Sequence, residues 1–76
     1  MNEKEMHDEF VHRILQRMRA NHMLRIDIAR KSGIPKNTIS QYMTGKRKPT
    51  YDKVVRIAQA LNCKPGDLLD MDEDLE

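Results

Sequence analysis

Seventy-six residues make one domain, close to the lower size at which a single apolar core suffices without disulfide or metal. The net charge of +2 conceals an asymmetry: Val11 to Gly66 carries thirteen Lys or Arg against Asp27 and Asp52, while six of the twelve acids (Asp67, Asp70, Asp72, Glu73, Asp74, Glu76) fall in the last ten residues. Such a basic body attracts polyanions; at this length no attached ligand-sensing or self-cleaving module is expected, one cysteine excludes an internal disulfide, and without a leader pattern or a membrane-length apolar run the chain is expected in the cytoplasm.

Met1 to Met6 is polar and reads as a frayed end or an early helical extension. Phe10, Ile14 and Met18 then recur every four residues, with Val11 and Leu15 beside them, which predicts an amphipathic helix ending near Asn21. A second helix is expected from Arg25 to Ser32, with Ile28 and Ala29 inward and Gly33 supplying a positive φ at its end. Pro35 fits the fixed φ of a helix entry, so a third helix runs from Lys36 to Thr44. On it Ile39, Tyr42 and Met43 share the buried face, leaving Lys36, Asn37, Thr38, Ser40, Gln41 and Thr44 on an outer side without a carboxylate. Gly45 and the basic loop Lys46-Arg47-Lys48 follow. Thr50 caps a fourth helix, Tyr51 to Leu61, that turns Val54, Ile57, Ala58 and Leu61 inward. Pro65 opens a short fifth helix carrying Leu68 and Leu69, and Met71 and Leu75 remain on an acidic end. The expected architecture is an all-α bundle of five helices, with a domain over 6–70 and an acidic tail over 71–76.

Two short helices held by a turn and followed by a basic loop form a unit that can present one helix to a DNA groove. Asn and Gln can pair with adenine edges, and Lys can reach the guanine acceptors. In this segment the chain resembles the Cro and phage-repressor type of helix-turn-helix domain. The resemblance rests on Ile28-Ala29, the turn Gly33-Ile34, the run Asn37-Thr38-Ile39-Ser40, Gly45 with its Lys-Arg-Lys-Pro loop, the helix Val54 to Leu61, and Asn62 through Leu69. It implies a lambda-repressor-like fold in which the second and third helices form the motif. It also implies base reading at Lys36, Asn37 and Gln41, with phosphate contacts at Arg25 and Lys46, Arg47 and Lys48; Thr38, Ser40 and Thr44 are secondary candidates. The chain departs from the family at Leu24 and Pro35, where Ser or Thr usually caps each helix, with Thr38 or Asn37 as substitutes. It departs again at Arg17, where the family places an inward apolar residue and this chain has Met18 next door.

An enzyme is hard to build from these residues. His7, His12 and His22 stand five and ten apart, which does not pair them on one helical face as metal ligands. No glycine-rich phosphate loop is present, and Cys63 reads as a buried, inert thiol. No cofactor or metal is expected. The sequence therefore points to a regulator, more a repressor than an activator, that binds double-stranded DNA. One nine-residue reading helix covers too few base pairs to stand out in a genome, so a homodimer on a palindromic operator is expected, paired through Leu68, Leu69, Met71 and Leu75. The alternative is an antitoxin or adaptor that shows a protein partner the same C-terminal residues. An RNA-binding role is weaker, since only Phe10, Tyr42 and Tyr51 could stack on bases.

Overall fold

In the computed structural model, which describes residues 3–69, five helices follow one another: α1 (Glu3–Ala20), α2 (Arg25–Ser32), α3 (Lys36–Thr44), α4 (Tyr51–Ala60) and α5 (Pro65–Leu68). Met71 and Leu75 lie outside the described residues. The all-α expectation holds, and the bounds of α2 and α3 coincide with those expected from sequence. α1 begins at Glu3, so the N-terminal stretch extends the helix, and α4 stops one residue early, with Leu61 as its C-cap. Leu69 caps α5 instead of continuing it.

Each helix turns one stripe inward. Phe10, Ile14 and Met18 come from α1, Ile28 from α2, Ile39, Tyr42 and Met43 from α3, Val54, Ile57, Ala58 and Ala60 from α4, and Leu68 from α5, joined by Ile34 and Leu61 from the connections. α2 packs on both α3 and α4, and α5 sits between α4 and α1. Each fully buried Ile or Leu in this cluster contributes roughly 1.5–3 kcal/mol of hydrophobic transfer. The register of α1 is regular through Arg17 and Met18: Met18 is buried, while Arg17 reaches across to Asp67, Nη2 to Oδ2, at 3.9 Å. An arginine is tolerated at this position because its head leaves the core and finds a carboxylate at the rim.

Left-handed residues end the first four helices. Gly33 takes φ of 76°, as expected, and Gly45 takes 82°, but His22 and Asn62 also adopt φ of 54° and 63°. At His22 the Met23 N–H donates to the Met18 carbonyl at 2.9 Å and the His22 N–H to Arg19 at 3.2 Å. At Asn62 the Cys63 N–H donates to Ala58 at 2.9 Å and the Asn62 N–H to Gln59 at 3.1 Å. Both sets satisfy last-turn carbonyls in the Schellman pattern. The Asn21 side-chain amide ties these two ends together, donating to the Arg17 and Leu61 carbonyls.

The N-termini are solved differently from the family's habit. Thr50 caps α4 by accepting from the Lys53 N–H at 3.4 Å. Leu24 has no side chain that can accept, but the Asp27 carboxylate turns back to accept the Leu24 N–H at 2.8 Å. Asp67 does the same for Lys64 at 2.8 Å. These are the reciprocal halves of capping boxes, each with a carboxylate in the positive first turn. Neither Asn37 nor Thr38 makes a capping bond for α3, whose N-cap Pro35 carries no side-chain hydrogen bond.

Candidate nucleic-acid interface

The angle between α2 and α3 is set in the turn at Ser32 to Pro35. Ser32 is buried, and its hydroxyl accepts the Ile34 N–H at 3.1 Å, so the chain reverses without leaving that donor unsatisfied. Ile34 goes into the core, and Pro35 releases the chain into α3. With Ile39, Tyr42 and Met43 held inside, the opposite face of α3 is fixed toward solvent by helical geometry.

That face carries the expected residues. Lys36, Asn37 and Thr44 are exposed, and Thr38, Ser40 and Gln41 are half-exposed. Arg25, at the first position of α2, reaches over to α3, where its Nη1 donates to Ser40 Oγ at 3.3 Å. Arg25 and Ser40 thus belong to one surface, and the Ser40 hydroxyl is already engaged there. Thr44 Oγ1 donates to the Gln41 carbonyl at 3.4 Å, a bond turned back along its own helix.

The basic loop is folded against the end of α3. The Lys46 and Arg47 N–H groups both point at the Gln41 carbonyl, at 2.9 and 3.3 Å, and the Gly45 N–H at that of Tyr42. This closure places the exposed side chains of Lys46, Arg47 and Lys48 just beyond the last turn of α3. Lys36, Arg25 and the loop therefore surround a helix nine residues long, about 13.5 Å at 1.5 Å per residue. A helix of that diameter, about 10–12 Å with its side chains, fits a major groove about 12 Å wide. The nearby acids are occupied: Asp27 caps α2, and Asp52 pairs with Arg56 at 3.4 Å along α4.

Sequence alone marks Leu24 only as a missing cap, yet it stands 68% exposed beside Arg25, with Ile26 also exposed. A search for hydrogen-bonding types passes over such a pair; only the direction of α2 reveals it. Of the C-terminal residues expected at a dimer interface, Leu68 is 1% exposed and packs within its own chain, so it has almost no surface to give a second copy. Leu69 is half-buried.

The remaining chemistry is sparse. Cys63 is half-buried instead of sealed in the core, and burial raises its thiol pKa, with Arg17 opposing and Asp67 adding to the rise. Among the described residues no group of three His, Cys, Asp or Glu could hold a metal ion, and no helix is long and apolar enough to cross a membrane.

A family model described as helix-turn-helix matches residues 14–68, well over half of the chain, and runs from the inward residues of α1 to the end of α5. The comparison with curated proteins finds no match. The chain belongs to the Cro/C1-type helix-turn-helix family, whose members are DNA-binding and non-enzymatic domains.

Proposed function

We propose that this helix-turn-helix protein is a sequence-specific transcriptional regulator, acting as a repressor, that lays α3 in the major groove of a DNA operator. One observation carries the reading: the solvent face of α3 offers Lys36, Asn37 and Gln41 with no carboxylate among them, framed by Arg25 and by Lys46 to Lys48. Amide and ammonium groups on the groove side discriminate bases; the flanking cations and the N-terminus of α3, open behind Pro35, position the backbone. Thr38 and Thr44 are placed for supporting contacts, and Leu24 for an apolar contact at the edge of the site. Repression needs only that the bound protein occupy its operator, which a domain this small can do without a second activity. The setting is the cytoplasm, where duplex DNA is reached directly and a lone thiol stays reduced.

α3 reads too few base pairs alone, so two copies on a palindromic site are proposed, placing their α3 helices about 34 Å apart. The C-terminal end of the domain, around half-buried Leu69, is the proposed meeting surface. Enrichment of random duplexes on the purified protein tests the whole reading. A palindromic consensus with half-sites about 10 bp centre to centre is expected. Recovery of no consensus would refute sequence-specific reading, and a single unrepeated half-site would refute the dimer.

A further inference from the structure

On the far side of the basic loop, α1, α4 and Leu69 enclose an apolar groove of about 390 Å³. Phe10 and Val54 form its buried base, while Met6 and Tyr51 flank it at 54% and 56% exposure. Lys48 and Pro49 bring the basic loop to its edge. Apolar area of this kind costs free energy while it faces water, and a chain of this size has little stability to spare.

The chain itself leads out of the groove. Leu69 lines it, and the next seven residues, Asp70 to Glu76, set Met71 and Leu75 among five carboxylates. Acidic residues interrupted by apolar ones complement a groove whose base is apolar and whose edge carries Lys48, the last cation of the basic loop. Two residues of extended chain span about 7 Å, a length sufficient to return from Leu69 to the groove it lines. A segment tethered at that distance is present at millimolar effective concentration, which favours it over any free competitor.

We propose that the groove takes the chain's own segment 70–76 in cis, with Met71 seated over Phe10 and Tyr51 and the carboxylates against Lys46, Arg47 and Lys48. The tail then occupies the cations that the proposed function assigns to DNA phosphate, and the inference rests on that reading for its regulatory consequence. DNA must displace the tail to engage the loop, which weakens attachment to any duplex and leaves cognate sites favoured. Docked in cis, Met71 is also withheld from a second copy, so pairing follows the arrival of DNA.

The test has two arms. In the full chain without DNA, nuclear Overhauser contacts from the Met71 methyl to the Tyr51 and Phe10 rings are expected at all protein concentrations. Their absence would overturn the proposal, and contacts found only between differently labelled copies would replace cis docking by exchange between chains. In the second arm, binding to a scrambled duplex is compared for the full chain, a chain shortened after Leu69, and a full-length variant with Asp70→Asn, Asp72→Asn, Glu73→Gln, Asp74→Asn and Glu76→Gln. Both altered chains should bind about tenfold tighter at low salt, with the advantage fading as screening rises. Equal affinities would overturn the masking. If no form binds DNA, the functional reading fails, and the first arm still decides the docking.

Discussion

The imidazole of His7 on α1 lies against Gly45, the left-handed residue that ends α3: a Cβ added at Gly45 would stand 3.3 Å from His7 Nε2, a buried nitrogen without a hydrogen-bond partner among the described residues. The start of the loop that carries Lys46 to Lys48 is thus packed against the first helix. At Gly33, the other glycine with positive φ, the nearest atom to an added Cβ is an Arg56 guanidinium nitrogen at 3.8 Å, an ordinary van der Waals distance. Both glycines take left-handed backbone, but only at Gly45 would an added Cβ also press on a neighbouring side chain.

Gly45→Ala is therefore expected to destabilise more than Gly33→Ala. The backbone cost of about 1–2 kcal/mol is common to both, and a shift of about 4–8 °C in Tm per kcal/mol makes the difference readable in a domain of this size. In a His7→Ala background the excess at Gly45 should vanish. Equal Tm losses for the two glycines in the parent chain would mean that His7 yields freely and does not fix the loop.

His22 closes α1 in the conformation that glycine adopts at least cost. Replacing it by Gly removes the left-handed penalty of about 1–2 kcal/mol, while the freer unfolded chain returns about 0.4–1 kcal/mol of it. A net gain of up to about 1.6 kcal/mol follows from these figures, measured as a higher urea midpoint with an unchanged m value. Asn62→Gly should gain less, because asparagine tolerates this region. A loss of stability at His22 would show that its side chain holds an interaction outweighing the backbone strain.

The ends of α2 and α3 are legible in the sequence because their signals are local: Gly33, Pro35 and Gly45 each act through their own φ. The ends of α1 and α4 are read to within one residue, but the left-handed turns of His22 and Asn62 that close them are not, since they go with bonds from the following N–H groups, of Met23 and Cys63, to carbonyls five residues back. The outer face of α3 follows from spacing alone, because Ile39, Tyr42 and Met43 fix the rotation of the helix. Its tie to Arg25 does not, since the Arg25–Ser40 bond joins residues fifteen apart and depends on the turn angle set by Ser32. Leu68 reads as a spare apolar residue because nothing in its neighbours announces that α5 folds back between α4 and α1. The groove beside the loop is invisible in the sequence for a related reason: its walls come from three separated stretches, near Phe10, Tyr51 and Leu69.

Lys46, Arg47 and Lys48 stand exposed beyond the end of α3, where they can neutralise phosphates without lying on the outer face of the helix. Replacing all three by Ala should weaken binding to cognate and scrambled duplexes alike. The slope of log K against log salt should become shallower by about 0.9 for each phosphate no longer neutralised. The measurement is a titration series across salt concentrations on both duplexes. A salt slope identical to that of the parent chain would remove the loop from the DNA interface.

Lys36, Asn37 and Gln41 face outward from a helix whose other side is sealed in the core. Their substitution leaves the fold alone, so affinity changes at these positions report on the DNA interface directly. An Ala substitution at a residue that reads a base should cost roughly 1–3 kcal/mol on the selected site and much less on random duplex. Ser40 differs, because its hydroxyl already accepts from Arg25; Ser40→Ala should act through Arg25, lowering affinity on both duplexes together. Competition binding with the selected and scrambled duplexes separates the two patterns. If Lys36, Asn37 and Gln41 each weaken binding equally on both, α3 touches only backbone, and sequence must be read elsewhere on the domain.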